Sequence, residues 1–160
     1  VEMGAEPVVI AEADRVIYHA ALAHGSNHMA TLVAQAAQLL GEVGVEAPER
    51  MLGPLLRATL ENALASGESA LTGPVARGDA GTVDAHVRAL REHDAGAAGD
   101  ILEAYLAMAW ATARRADSRG LLKADQVEGI SEALAAGGPD SDGTHEGGPD
   151  DDAPEAKGGH

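Results

Sequence analysis

The sequence contains no cysteine and no phenylalanine, and it has one tryptophan and two tyrosines among 160 residues. The absence of cysteine excludes a disulfide framework and thiolate catalysis, and it fits a reducing compartment. Basic residues are also scarce: 11 Lys and Arg stand against 26 Asp and Glu, which gives a formal net charge of -15. Nucleic acid and membranes are therefore not expected as partners, because no basic stripe is present to neutralise phosphates. We expect a cytoplasmic protein, since the apolar runs are too short to span a bilayer and no leader is recognisable.

Alanine and leucine supply most of the apolar side chains. Both favour helices, and small side chains let helices pack closely, so the composition predicts an all-α fold. With 160 residues the chain is long enough for one ordinary domain with its own core. Apolar residues recur at helical spacing in about five segments, which predict a helical bundle. The predicted helices span residues 13–43, 48–65, 80–95, 100–116 and 124–135.

Two of these segments carry further expectations. The dipeptide Gly53-Pro54 lies inside the second segment, and proline lacks an amide hydrogen, so we expect a kink or a short helix followed by a longer one. The fourth segment is the most apolar, and its side chains from Tyr105 to Trp110 cover more than one face. We therefore expect the long first helix and this fourth helix to form the centre of the bundle or a subunit contact.

The two ends of the chain differ from the predicted bundle. Residues 1–12 contain the β-type run PVVI, which predicts a short strand left over from the end of a preceding Rossmann-like domain, because a lone strand cannot satisfy its backbone. Residues 137–160 repeat the sequence GGPD, are rich in Asp and offer little to bury, so a disordered acidic tail is expected. The all-α domain is accordingly predicted to span residues 13–136.

The segment Thr72 to Asp79, TGPVARGD, is predicted to form a turn between the second and third helices. It lacks the Lys-Ser/Thr pair of a phosphate-binding loop, and its Arg-Gly-Asp tripeptide has no extracellular setting in a chain without cysteine or a secretion signal. Arg77, together with the amide groups that follow the N-cap candidate Asp79, suits a carboxylate. Two interpretations stay open. Either Arg77 pairs with Asp79 or a helix C-terminus and pins the loop, or the loop lines a ligand cleft.

Several polar side chains interrupt the alanine-rich helices. His24 and His28 are four residues apart and share a helix face, but no third ligand accompanies them, so no metal site is predicted. Partly exposed histidines, or polar groups that line a cleft, are expected instead. Asn27 and Asn62 need partners if they turn inward, and those partners are each other or a ligand.

The stretches IAEADRVIYHAALAHGSNHMATLVAQAAQLL, LLRATLEN and ALTGPVARGD resemble the C-terminal helical domain of the Rossmann-like oxidoreductases with domain of unknown function 2520. The resemblance covers about Val9 to Leu134, and LTGPVARGD is its most specific element. The wider relatives are enzymes of the 6-phosphogluconate dehydrogenase and ketopantoate reductase type. The resemblance implies an all-α domain that closes a substrate cleft against an NAD(P)-binding domain and that often forms a homodimer.

The same resemblance implies roles for individual residues. The relatives commonly carry an Asn one turn after a catalytic Lys. Asn27 matches that Asn as a catalytic residue, whereas Ala23 occupies the position of the Lys. His24 or His19 is the expected replacement as proton donor, because imidazole titrates near neutral pH. The expected substrate-binding residues are His19, Asn62, Thr72, Gly73, Arg77 and Asp79.

The first functional hypothesis is the helical substrate-binding and dimerisation domain of an NAD(P)-dependent oxidoreductase that acts on a small molecule. The dinucleotide fingerprint G-x-G-x-x-G is absent, so NAD or NADP is expected to bind only the full-length protein, and this fragment is expected to be inactive alone. The alternative is a non-catalytic helical module that binds a partner protein through the apolar helix around Tyr105 to Trp110.

Overall fold

The described part of the chain, residues 8–94 and 99–138 of a computed structural model, is all-α. This confirms the predicted fold class. Two short 3-10 turns, Glu12–Asp14 and Gly67–Ala70, precede and follow the first pair of helices. The α-helices are α1 (Arg15–Glu42), α2 (Pro48–Ser66), the one-turn α3 (Gly73–Ala76), α4 (Ala80–Asp94), α5 (Ile101–Ser118) and α6 (Ala124–Ala135).

No strand occurs within residues 8–94 and 99–138. The expected remnant strand is therefore absent at Val8 to Ile10, where the backbone has no neighbouring strand with which to form a ladder. Residues 1–7 and 139–160, which include most of the predicted acidic tail, lie outside the described residues. The predicted boundaries at residues 12 and 136 stay predictions.

The hydrophobic core lies where α4, α5 and α6 meet. Its fully buried side chains are Val83 and Val87 from α4 and Ile130 and Leu134 from α6. Burial of each such side chain contributes roughly 1.5 to 3 kcal/mol. From α5, Tyr105, Leu106 and Trp110 pack against this cluster. The expectation that α5 lies centrally is confirmed, and most of the apolar surface that the partner-binding alternative needs is occupied by core packing.

Of the two positions expected for α1, the single chain does not place it at the centre of the bundle, and the subunit contact stays a prediction. Gln35 is the one buried residue of α1, and near its N-terminus Val16 and Ile17 are 81% and 68% exposed. In α2 only Leu52 is buried, whereas Leu64 is 79% exposed. The helical spacing of apolar residues shows that a face of α1 is suited to burial, but it does not specify which surface buries that face.

The helix α2 runs through Pro54 without interruption, so the expectation of two separate helices is wrong. Pro54 removes one hydrogen bond from the ladder, to the carbonyl of Arg50 four residues earlier. Pro54 is exposed, so water can satisfy that carbonyl. None of the described helices combines the length and the apolar character that crossing a membrane requires.

The segment Thr72 to Asp79 is not the simple turn that its composition predicts, because it contains the helical turn α3. The turn that follows depends on Gly78, whose φ of 71° is left-handed and whose hydrogen faces the Gln126 side chain so closely that a Cβ would clash. Gln126 in turn donates from Nε2 to the carbonyl oxygen of Arg77 at 3.0 Å, and its Oε1 accepts from the amide of Lys123 at 3.0 Å. The loop is thus fixed to the start of α6.

Candidate functional site

A cleft of about 400 Å³ lies between the second half of α1, the segment around α3, and the facing sides of α4 and α5. Its position between helices of a bundle is typical of small-molecule sites. None of the described residues that line it is acidic, although the chain as a whole carries a net charge of -15. The apolar lining residues are Leu32, Ala36, Leu39, Pro74, Val75, Leu90, Ile101, Ala104, Met108 and Ala109. The polar ones are Gln35, Thr72, His86, Tyr105 and Thr112.

His86 of α4 and Tyr105 of α5 form a polar pair in the cleft wall. Nδ1 of His86 lies 3.1 Å from Oη of Tyr105, and the rings meet edge to face with centroids 5.9 Å apart. Burial raises the pKa of the Tyr105 phenol, so the phenol keeps its proton at neutral pH and can donate it to Nδ1. With the phenol as donor, the proton of a neutral His86 resides on Nε2, which is then a donor for a ligand.

Gln35 joins α1 to the start of α5 at another part of the cleft wall. It is 8% exposed, and its Nε2 donates to Oδ2 of Asp100 at 2.9 Å. Asp100 is the residue that precedes α5. A second link between α1 and the rest of the chain lies nearby, where His93 of α4 contacts Glu42 and also Asp94. These bonds hold the C-terminal half of α1 over the cleft.

The loop Thr72 to Asp79 lies at the rim of the cleft. Nη1 of Arg77 donates to Oγ1 of Thr72 at 3.4 Å, so Arg77 bonds a residue of the cleft lining and not Asp79. Asp79 instead accepts from the amide of Thr82 at 3.1 Å and from its hydroxyl at 2.7 Å, which confirms the predicted N-cap of α4. These two bonds are the main cause that lowers the pKa of Asp79, with smaller contributions from Arg77 and His86. Gly73 begins α3 with a left-handed φ of 93°.

The histidine pair of α1 borders a second depression, of about 290 Å³. Nδ1 of His24 lies 2.9 Å from Nδ1 of His28, and both side chains are exposed. This depression shares Leu32, Gln35, Ala104 and Met108 with the cleft, so the two form one groove between α1 and α5. Within residues 8–94 and 99–138, no group of three or more side chains is arranged to hold a metal ion.

The other expected site residues lie away from the cleft. Asn27 is exposed on α1 and does not line the cleft, and Asn62 is exposed on the second half of α2. His19 lines a separate shallow depression near the N-terminus of α1, with Arg15, Val16 and Ala20. The structure therefore gathers Thr72, Gly73, Arg77 and Asp79 at one end of the groove and places His24 beside its other end. It does not bring His19, Asn27 or Asn62 to them.

Sequence reasoning did not find Gln35, His86 or Tyr105 as cleft residues. A signal existed for His86, which precedes Val87 and follows Val83 by three residues and so borders the buried side of α4. Its partner Tyr105 is 19 residues away on another helix. The pairing depends on how the two helices cross, which periodicity does not specify.

A family model described as a domain of unknown function, DUF2520, matches residues 1–112. No curated protein matches the chain, and no solved structure does. The matched region ends inside α5 and includes every described residue that lines the cleft, whereas α6 lies beyond it. Because the match covers well over half of the 160 residues, the chain belongs to the DUF2520 family.

Proposed function

We propose that this chain is the helical substrate-binding and dimerisation domain of an NAD(P)-dependent oxidoreductase, and that its fold is of the 6-phosphogluconate dehydrogenase C-terminal type. Membership of the DUF2520 family supports the first part, through the resemblance of this family to Rossmann-like oxidoreductases. The observation that carries the proposal is the cleft. Its lining among the described residues falls inside the matched region, and the LTGPVARGD segment lies at its rim.

The nucleotide cofactor belongs to a different domain in this proposal. The described residues contain no strand, and the sequence contains no G-x-G-x-x-G, so these residues do not fit the βαβ site that binds a dinucleotide. NAD or NADP would bind a nucleotide domain encoded with this chain, and the helical domain would contribute the substrate side of the cleft. The chain alone would therefore be inactive.

The proposed roles follow from the positions of the residues. Thr72 and Arg77 bind the substrate at the rim of the cleft, and Gly73 allows the backbone to approach it there. Asp79 holds the loop by capping α4. Asn27, Asn62 and His19 would face the nucleotide domain from the exposed sides of α1 and α2. His24, at the open end of the groove, or His19 would supply the proton in place of the Lys of the relatives.

The dimerisation role is supported by the apolar side chains that α1 and α2 expose. Val16 and Ile17 on α1, and Met51, Leu55 and Leu64 on α2, are each more than 60% exposed. Clusters of such side chains on a folded chain mark interaction surfaces. A second copy of the chain that presents the same two helices would remove them from water, and self-complementary contacts of this kind are the commonest form of homodimer.

The experiment that tests the proposal is calorimetric titration of the full-length gene product with NADH and with NADPH. Saturable binding of one of the two at one site per chain is expected, and the 160-residue chain under the same conditions should bind neither. If the full-length product binds neither nucleotide, the oxidoreductase assignment is wrong.

A non-catalytic interaction module is the second candidate, and the exposure of Val16, Ile17 and Leu64 favours it as much as it favours a dimer. The mass of the purified chain in solution separates the two. A stable homodimer supports the oxidoreductase domain, whereas a monomer that binds no nucleotide in its full-length form supports the module.

A further inference from the structure

We propose that the cleft between α1, α4 and α5 binds a small carboxylate with an extended hydrocarbon portion, whose carboxylate lies between Arg77 and His86 and whose hydrocarbon lies along Leu32, Leu39 and Met108. That this carboxylate is the substrate of an enzyme rests on the proposed function. That the cleft binds it rests on the geometry of the cleft alone.

The hydrocarbon part of the ligand follows from the walls. Ten of the fifteen lining residues are apolar, and they come from four different helices, so an occupant would be enclosed by aliphatic side chains on several sides. A volume of about 400 Å³ is at the lower end of the range for small-molecule sites, which suits a single chain or a small ring and excludes a dinucleotide. The walls would hold such a ligand chiefly by removing its apolar surface from water.

The negative charge of the ligand follows from the distribution of charge. Among the described residues, none that lines the cleft is acidic, and His86 lines it directly. Arg77 bonds the rim residue Thr72. The Asp79 carboxylate lies near Arg77, but both of its oxygens accept hydrogen bonds from Thr82 at the start of α4. A ligand carboxylate would therefore meet the guanidinium of Arg77 and an N–H group of His86, whose hydrogen bonds within the described residues go to Thr72 and Tyr105 and not to a carboxylate.

Donors for that carboxylate are present at the same end of the cleft. The guanidinium of Arg77 offers a planar pair of N–H groups. Thr72 accepts from Arg77, so its own hydroxyl proton is available to a ligand oxygen. His86, with Nδ1 engaged by Tyr105, offers Nε2–H. Thr72 and His86 line the cleft, and Arg77 reaches it through its bond to Thr72. Leu32 and Met108 lie where the cleft joins the depression beside His24 and His28.

The test uses the full-length gene product and three probes: decanoate, decanol and acetate, each titrated by calorimetry in the absence of nucleotide. Decanoate is expected to bind about tenfold more tightly than decanol, which lacks the charge, and more tightly than acetate, which lacks the chain. Equal affinity for decanoate and decanol would overturn the assignment of the charged end. Absence of decanoate binding would overturn the site.

Variants locate the binding within the cleft. Ala36→Phe fills the cleft from α1 and should weaken decanoate binding about tenfold or more, whereas Ala34→Phe, on the exposed side of the same helix, should leave it unchanged. Ala104→Leu narrows the cleft from α5 and is the second variant should Ala36→Phe fail to fold. Arg77→Gln should weaken decanoate but not decanol, and Arg88→Gln, on the outer side of α4, should weaken neither. Decanoate binding that survives both filling variants lies elsewhere and contradicts the proposal.

Two further outcomes are decisive. If the cleft is filled by a second copy of the chain, Ala36→Phe will dissociate the dimer and the wild-type protein will not bind decanoate, which overturns the inference. The nucleotide titration is separate from this one. Decanoate binding without nucleotide binding supports the carboxylate site in the cleft and refutes the assignment to an oxidoreductase. Nucleotide binding without decanoate binding supports the oxidoreductase and refutes the carboxylate site.

Discussion

The amide of Gln35 on α1 and the carboxylate of Asp100 before α5 are joined by a 2.9 Å hydrogen bond that crosses one edge of the cleft. Gln35 is the one buried polar residue of α1, and most of that helix is exposed, so this bond is a principal attachment of α1 to the core. We predict that Gln35→Ala lowers the free energy of unfolding by about 1 to 3 kcal/mol, because a hydrogen bond to a charged acceptor is lost. Urea denaturation measures the change.

The matched control for that variant is Gln38→Ala. Gln38 also donates to a carboxylate, Oε1 of Glu42 at 3.1 Å, but this exposed bond joins two residues of α1, and its removal leaves the contact of Glu42 with His93 of α4 in place. Its removal should change the free energy of unfolding by no more than about 0.5 kcal/mol. Equal effects of the two substitutions would mean that Gln35 does not anchor α1.

Gly78 should tolerate no larger residue. Gly78→Ala places a methyl group against the Gln126 side chain in a left-handed backbone conformation, so it should lower the free energy of unfolding by roughly 1 to 3 kcal/mol. Gly81→Ala is the control, because Gly81 is helical and a Cβ there would lie no closer than 3.9 Å to Asp79 Oδ1. That variant should be neutral or stabilising by up to about 1 kcal/mol. Thermal unfolding of both distinguishes a required glycine from a tolerated one.

The cluster of Glu42, His93 and Asp94 should make stability depend on pH. Hydrogen bonds, first to Asp94 and then to Glu42, raise the pKa of His93 above its ordinary value of 6.5, whereas the bond to His93 lowers the pKa of Glu42. The His93 contribution is fully present below pH 6.5 and is lost as the pH rises through the elevated pKa. The Glu42 contribution is present above its ordinary pKa of 4.5 and is lost as the pH falls through the lowered value.

We therefore predict that His93→Gln lowers the melting temperature most between pH 4.5 and 6.5, and that the difference from wild type shrinks at alkaline pH. Melting curves over this range provide the measurement. His86→Gln is the comparison, since the hydrogen bond of His86 goes to the Tyr105 phenol and not to a carboxylate. A difference between wild type and His93→Gln that grows as the pH rises would show that the cluster does not act in this way.

The helix α6 should be indispensable although it lies outside the matched region. Ile130 is completely buried against α4 and α5, so Ile130→Ala should lower the free energy of unfolding by about 2 to 5 kcal/mol. Leu121→Ala, at a residue 48% exposed just before α6, should have a much smaller effect. Similar losses at both positions would indicate that α6 is not part of the common core.

The proposed homodimer predicts that charge on the exposed face of α1 separates the subunits. The double substitution Val16→Glu and Ile17→Glu should convert a dimer to a monomer, because it buries carboxylates in an apolar contact. Light scattering coupled to gel filtration measures the mass. Leu121→Glu changes another exposed apolar residue and should leave the dimer intact. A wild-type chain that is already monomeric refutes the dimer.

Helix positions were largely predictable because their ends carry local signals. The prediction of α6 at 124–135 is confirmed residue for residue, and α1 differs from its prediction by about two residues at the start. Glycine and proline mark helix ends in the sequence, because they act on the backbone conformation at their own positions and need no distant contact. The N-cap at Asp79 was predictable for the same reason.

The arrangement of the helices was less predictable, since it depends on contacts between distant residues. The apolar stripe of α1 was predicted to lie at the centre of the bundle or in a subunit contact, yet the buried core of this chain is formed by α4, α5 and α6, and much of that stripe is exposed. Trp110 packs against this core but is only partly buried, which the apolar pattern of the helix does not specify. The site residues share this difficulty, because Asn27 and Arg77 lie on different segments whose separation no sequence pattern specifies.

The central claim, that α1 and the Thr72–Asp79 segment face a nucleotide-binding domain, is tested most directly by hydrogen–deuterium exchange of the full-length gene product with and without NADPH. The account predicts slower exchange on NADPH addition in His19 to His28 and in Thr72 to Asp79, with no change in α6. NADPH binding that leaves both segments unaffected, or that protects α6 instead, would contradict it.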